Sequence, residues 1–287
     1  MLIVHDPVCA EYGSVDHPER PARVTRSSEL LRERHPDWGW VLPEPAGDGP
    51  LLRAHRREHF DRLREAEFFD ADTPAYPDIE AHARRSAGAG LRVLDEALAG
   101  RRSFSLMRPP GHHACKNRIM GFCYFNNVAV AALEARARGV GRVAIWDFDA
   151  HHGNGTEDIV RNEEGVYFAS IHQYPGYPGT GRTSYANIHN FPVPPGGHRH
   201  EHIEILESSF EAIVRFKPGL VLVSAGFDAY RGDPITNMDL EIEDFGELGR
   251  WLRESGLKAG AVLEGGYAEQ LPEMIEAFLV GWEGGAS

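Results

Sequence analysis

An α/β fold, a mostly parallel sheet with helices on both faces, is predicted by three features of the chain. Short apolar runs alternate with longer amphipathic ones, the pattern of strand–helix crossovers. The short runs show little polar alternation, as strands buried on both faces do. Most of them end in polar or glycine-rich loops. The chemistry therefore gathers at the carboxyl ends of the strands, where open parallel sheets bind ligands.

The elements follow in order. Leu2–His5 is the first strand and Pro21–Arg34 the first helix. The proline- and glycine-rich stretch from Pro43 to Pro50 reads as a surface loop. Helix Ile79–Ala99 precedes strand Ser103–Met107. Helix Asn126–Arg138 is stopped by Gly139 and Gly141. Strands Arg142–Trp146 and Val166–Ser170 come next, then helix His200–Phe216, strand Leu220–Ser224 and helix Ile242–Ser255. Strand Ala261–Leu263 and helix Glu269–Val280 complete the pattern. The strands are short and mostly rich in β-branched or aromatic residues.

At 287 residues, with 42% hydrophobic and 25% charged, the chain reads as one globular catalytic domain over 1–287. Thirty basic against 43 acidic residues give a net charge of −13, which argues against nucleic acid and suits a cationic substrate. Cys9, Cys115 and Cys123 contain no CxxC pair, so a reduced, cytoplasmic setting is expected. Met1–Asp6 lacks the basic and apolar segments of a signal peptide. No apolar stretch reaches the ~18 residues that suggest a membrane span.

Asp147-Phe148-Asp149-Ala150-His151-His152-Gly153 crowds carboxylates and imidazoles that Zn²⁺ accepts as ligands. Arg108-Pro109-Pro110-Gly111-His112-His113 offers a histidine pair suited to proton exchange near neutral pH. Together they indicate a metal-assisted hydrolase. Two other histidine clusters compete. His55-Arg56-Arg57-Glu58-His59 fits the H-x-x-E-H pattern of inverted zinc peptidases, but Arg53, Arg62 and Arg64 around it indicate a solvated helix. His198-Arg199-His200-Glu201-His202 reads as a surface loop entering a helix.

Further motifs lie along the chain: Asp16-His17-Pro18-Glu19-Arg20-Pro21, Gly121-Phe122-Cys123-Tyr124-Phe125-Asn126-Asn127, Pro178-Gly179-Thr180-Gly181, Ala225-Gly226-Phe227-Asp228 and Leu263-Glu264-Gly265-Gly266-Tyr267. In this order, with the two histidine motifs, they resemble the zinc-dependent histone deacetylase family. That family includes acetylpolyamine amidohydrolases and has a three-layer arginase-like fold. Asn154 and Glu264 make the chain more similar to its class II branch.

The resemblance implies Asp149, His151 and Asp228 as zinc ligands, leaving room for water and a substrate carbonyl. It implies His112 and His113 as the acid–base pair, held by Asp147 and Asn154 respectively. A carboxylate raises imidazole basicity more than an amide does, so the two rings should titrate differently. Tyr267 corresponds to the donor to the developing oxyanion, beside Gly265 and Gly266, which suit a movable loop. Phe122 and Tyr177 match the aromatic walls of a substrate tunnel, and Gly121 the carbonyl that receives the amine. Gly266 is placed among the substrate-binding residues. Asp72 matches a rim aspartate and also reads as a helix N-cap or turn residue. Asp147, Asp149, His151 and Ser170 match a site for K⁺. His172 has no assigned role.

The substrate implied is an acetylated primary amine: N-ε-acetyl-lysine in a protein, or alternatively an acetylpolyamine. Polyamine-specific relatives carry an acidic gatekeeper after the Gly-Asp-Pro of the third-ligand loop. Gly232-Asp233-Pro234-Ile235 has an apolar residue there, which favours lysine. The chain also lacks a long insertion that narrows some polyamine tunnels, so a more open mouth is expected. An arginase-like ureohydrolase with two Mn²⁺ needs more carboxylates than Asp147, Asp149 and Asp228 supply. A silent acyl-lysine binding module has no use for an intact Tyr267 and histidine pair. Oligomeric state, and zinc against iron, stay open.

Overall fold

Parallel strand pairing sets loops that are remote in sequence side by side. The structure is a computed structural model and describes residues 1–65 and 68–284. Its strands are β1 (Leu2–Val4), β2 (Gly39–Val41), β3 (Phe68–Asp70), β4 (Thr73–Pro74), β5 (Ser103–Ser105), β6 (Val143–Asp147), β7 (Val166–Gln173), β8 (Ile188–Val193), β9 (Leu220–Ala225) and β10 (Ala259–Leu263). β3 and β4 form an antiparallel hairpin. The others form an 8-stranded sheet in the order β2-β1-β5-β10-β9-β6-β7-β8, paired in parallel throughout.

The helices are α1 (Ala22–Arg34), α2 (Asp48–Ala54), α3 (Arg57–Glu65), α4 (Ile79–Leu98), α5 (Asn127–Ala137), α6 (Asn154–Val160), α7 (Arg199–Phe216), α8 (Ile242–Ser255) and α9 (Leu271–Glu283). Side chains alternate across β6 and divide the core in two. Ala144 and Trp146 join one cluster with residues of α1, α7, α8 and α9; Val143 and Ile145 join another with residues of α2, α3, α5 and α6. The result is the expected three layers. Every residue of β6, β9 and β10 is buried, which explains their mostly apolar sequences, broken only by Asp147 and Ser224 near the carboxyl ends.

The strands missed from sequence are the sheet's two edges and the hairpin. β2 is three residues with a glycine, and β8 contains Asn190 and Pro192. An edge strand need not be apolar on both faces, and proline is tolerated there. The short helices α2, α3 and α6 differ from expectation more usefully. α2 begins at Asp48, inside the expected Pro43–Pro50 surface loop, whose Pro43 and Ala46 are buried.

The solvated helix expected around His55–His59 is half-buried. His55 and His59 stack 4.3 Å apart, with His55 Nδ1 against the Cys115 carbonyl at 2.9 Å and His59 Nε2 against that of Tyr124 at 2.6 Å. Burial lowers the pKa of both rings, that of His59 to about 4. Glu58 is exposed while both histidines are buried, and among the described residues the candidate metal group is Asp149, His151 and Asp228 instead. In the other cluster, His198 and His200 are exposed as expected, but His202 is buried.

α8 and α9 approach closely because glycines line their crossing. A Cβ on Gly249 would lie 2.0 Å from the Phe278 carbonyl oxygen, and one on Gly281 would lie 2.1 Å from that of Gly246. Gly249→Ala should therefore force the helices apart and lower stability by ~1–3 kcal/mol, measured by urea unfolding. An unchanged midpoint would show that the crossing tolerates a methyl group.

Candidate active site

The central strands β5, β10, β9, β6 and β7 are neighbours, and the loops at their carboxyl ends converge. The loop after β6 supplies Asp149 and His151, and the loop after β9 supplies Asp228. Their ligand atoms all lie within 4.8 Å of one another. His151 Nδ1 is 2.8 Å from Asp228 Oδ2 and 3.2 Å from Asp149 Oδ1. Both carboxylates are buried, and backbone amides donate to them: Ala150 to Asp228 at 2.8 Å, His151 to Asp149 at 2.8 Å and Gly265 to Asp149 at 2.7 Å.

Burial disfavours a charged His151, but Asp228 and Asp149 outweigh it and hold its pKa well above the ordinary value. Burial, followed by repulsion from Asp149, raises Asp228. Two carboxylate oxygens and one imidazole nitrogen converging in a buried pocket are a donor set that Zn²⁺ accepts.

The loop after β5 brings the histidine pair, with ring centroids 4.0 Å apart. His112 Nδ1 lies 3.1 Å from Asp147 Oδ2, and His113 Nδ1 lies 2.7 Å from Asn154 Oδ1. The two rings titrate in opposite directions. Burial opposes charge on His112, yet Asp149 and Asp147 lift it to about 10. Burial lowers His113 well below its ordinary value, reinforced by His112 and His151.

Tyr267, His113 and His151 line a cavity of about 320 Å³ with Gly121, Phe122 and Tyr177. Phe122 meets the Tyr267 ring edge-on at 5.8 Å, and Tyr177 meets His113 at 5.1 Å. Gly121 has a left-handed φ of 59°, and a Cβ there would lie 2.4 Å from His113 Cδ2. Burial pushes the Tyr267 hydroxyl well above its ordinary pKa, so it remains a donor at neutral pH.

Asp72 sits in the turn of the β3–β4 hairpin at the mouth, with His17 and Ile235. The turn alternative and the rim placement thus coincide at Asp72. Ser170 pairs in register with Asp147, and its hydroxyl lies 2.9 Å from His172 Nδ1. His172 and His152 pack at 4.6 Å behind the site.

The expected movable Gly265–Gly266 loop is tied down. Arg23 donates from Nε to the Gly266 carbonyl at 2.7 Å and also bonds the Glu264 carbonyl. A Cβ on Gly265 would lie 2.3 Å from Asp228 Oδ2, so that glycine permits close approach rather than bending. Gly266 is not among the residues lining the cavity.

Sequence reasoning also missed several supports. Glu264, quoted only as a class marker, is buried and accepts from the Gly111 amide at 2.6 Å and the His112 amide at 3.0 Å. Asp233 accepts from the Tyr267 amide at 2.8 Å. Arg108, with no exposed surface, reaches Glu19 at 2.5 Å, and Glu19 also pairs with Arg23 at 3.1 Å. For Glu264, the available signal was an acidic residue directly following an apolar strand.

The histone deacetylase domain profile matches residues 17–280. The chain belongs to the histone deacetylase family. It is 40% identical to a probable deacetylase of Methanothermobacter thermautotrophicus, over 99% of this chain and 91% of the relative. It is 38% identical to acetylpolyamine amidohydrolase 2 of Pseudomonas aeruginosa, over 75% of this chain and 66% of the relative. Among solved structures, the HDA15 HD domain superposes with a TM-score of 0.92 at 30% identity, over 99% of this chain and 91% of the other. An acetylpolyamine aminohydrolase from Burkholderia pseudomallei gives 0.85 at 26%, over 98% of each chain. The chain is a hydrolytic deacetylase with this family's fold.

Burial raises the Glu264 pKa from 4.5 to about 7, although His112 pulls it down. The folded state therefore holds this proton more tightly than the unfolded chain, and Glu264 loses stabilising effect as pH rises from 4.5 through about 7. Glu264→Gln keeps an acceptor for the two amides without the titration. Its melting temperature relative to the parent should rise between pH 5 and pH 8; a constant offset would show that Glu264 does not titrate there.

Proposed function

We propose that the chain is a zinc-dependent deacylase acting, within one catalytic domain, on N-ε-acetyl-lysine in proteins. The observation that carries this reading is the cavity. The candidate metal ligand His151, the acid–base candidate His113 and Tyr267 line it together with Phe122 and Tyr177. Such a channel suits an extended aliphatic stem and excludes a bulky one.

Zinc held by Asp149, His151 and Asp228 would supply Lewis acidity to the carbonyl and the attacking water. The residues do the rest. His113, kept neutral by burial, has Nδ1 occupied by Asn154 and so uses Nε2 to take the water's proton and return it to the leaving amine. His112, held cationic by Asp147 and Asp149, supplies positive charge beside it. Tyr267 donates to the carbonyl oxygen as negative charge develops there. The Gly121 carbonyl accepts an N–H of the amine, and Asp72 at the rim orients the substrate backbone. K⁺ beside Asp147, Asp149, His151 and Ser170 fits the preference of hard cations for oxygen.

Acetylpolyamine hydrolysis is the second reading, favoured by the relatives that bear that name. Against it stands Ile235, 38% exposed at the mouth, where a distal ammonium would gain from a carboxylate.

Tyr267→Phe should lower kcat by about 10²-fold or more at unchanged zinc content, as expected for loss of one oxyanion donor. Undiminished turnover would remove Tyr267 from that role. Asp228→Ala leaves two ligands and should abolish stoichiometric zinc, read by metal analysis. Turnover of the zinc-loaded enzyme on acetyl-lysine peptide should exceed that on acetylated polyamines. The reverse order would transfer the assignment to polyamines.

A further inference from the structure

A second concavity of about 320 Å³ lies between the start of α3, the loop after His113 and the end of α6. Arg56, Lys116, Arg118 and Arg161 line it, with Asp158 as the one carboxylate. None of its lining residues lines the substrate cavity. Concentrated positive charge stands out on a chain whose net charge is −13. Among the described residues, Arg56, Lys116 and Arg118 form no ion pair, and Arg161 reaches Asp158 only at 3.9 Å. Asp158 is already engaged, its Oδ2 accepting from the Lys116 amide at 2.9 Å.

Asn117 lines the same concavity and buries Oδ1 without a hydrogen-bond partner among the described residues. Unpaired guanidinium groups along a concave wall repel one another and focus positive potential. Their donor forks match the oxygens of a phosphate group. The volume is that of a small-molecule site.

We propose that this concavity binds a small phosphate-bearing anion, and that its occupancy is felt at His113. Its cations stand on the two segments that orient that ring. Lys116 and Arg118 lie on the loop that follows His113. Arg161 caps the end of α6, whose first residue, Asn154, bonds His113. Cys115 joins the segments, its Sγ lying 3.4 Å from Asn154 Nδ2. An anion bridging Arg118 and Arg161 draws the loop and the helix together and shifts Asn154 against His113.

The binding half of this proposal stands whether or not acetyl-lysine is the substrate. Calorimetric titration of the zinc-loaded full chain at constant ionic strength, with inorganic pyrophosphate and separately with ADP, tests it. Saturable binding of one anion per chain is expected. It should weaken about tenfold or more in the double variant Arg56→Glu/Arg118→Glu, since charge-assisted bonds are lost and charge is reversed. Both side chains are exposed, so the melting temperature should not move. Tighter binding of ADP identifies a nucleotide; tighter binding of pyrophosphate identifies an inorganic anion. Absence of saturable binding overturns the site, as does binding that survives the double substitution, the behaviour of an anion resting on the metal. A saturating anion should change kcat on acetyl-lysine peptide by about twofold or more in the parent and not in the variant. An unchanged kcat in the parent overturns the link to His113.

Discussion

Asp147, Asp149, Asp228 and Glu264 have no exposed surface and crowd one end of the sheet. Removing a carboxylate from water costs several kcal/mol unless donors or cations replace the lost hydration. The surrounding loops answer that requirement. Amides of Ala150, His151, Gly265, Gly111 and His112 donate to three of these carboxylates, and the His112 ring faces the fourth, Asp147. Gly265 and Gly226 are needed because backbone must come this close: a Cβ at either would lie within 2.5 Å of a carboxylate oxygen. The remaining negative charge makes Asp149, His151 and Asp228 a candidate site for a metal cation.

The same electrostatics divides the histidine pair. His112 lies against Asp149 and Asp147, which lift its pKa in spite of burial, while burial, reinforced by His112, holds His113 down. Adjacent, chemically identical residues thus acquire different proton affinities because carboxylates offset burial for one ring and not for the other. Glu264 then couples that pair to the Tyr267 loop by holding the backbone of Gly111 and His112. Arg108, Glu19 and Arg23 extend the coupling to the N-terminal segment, since Arg23 also bonds the carbonyls of Glu264 and Gly266. A buried charge in one loop becomes a constraint on the next, and Arg23 bonds the backbone on which the glycines had suggested motion.

Central strands and long helices were legible because burial leaves a strong mark on sequence. β6, β9 and β10 can be read as apolar runs, and α8 begins and ends where its amphipathic pattern does. Edge strands such as β8, with Pro192 facing relaxed demands, leave no comparable mark. The charged segment around His55–His59 misled for a related reason. Its arginines describe one face of α3 and conceal that Phe60 and Leu63 on the other are buried with the histidines. In the site, residues in compact motifs could be named, but the motifs do not show that Glu264 and Asp233 hold backbone amides or that Glu19 pairs with Arg108 and Arg23.

Sequence by itself determined the layered α/β architecture, the family and the candidate side chains of the site, because periodicity and donor chemistry are local properties. Tertiary structure alone decided that Asp228 meets Asp149 and His151, that burial drives His113 down while carboxylates lift His112, and that Arg23 bonds the carbonyls of Glu264 and Gly266. Those outcomes depend on distances between loops at neighbouring strand ends. Strand order in the sheet sets these distances, and the linear chain does not encode that order in any local pattern.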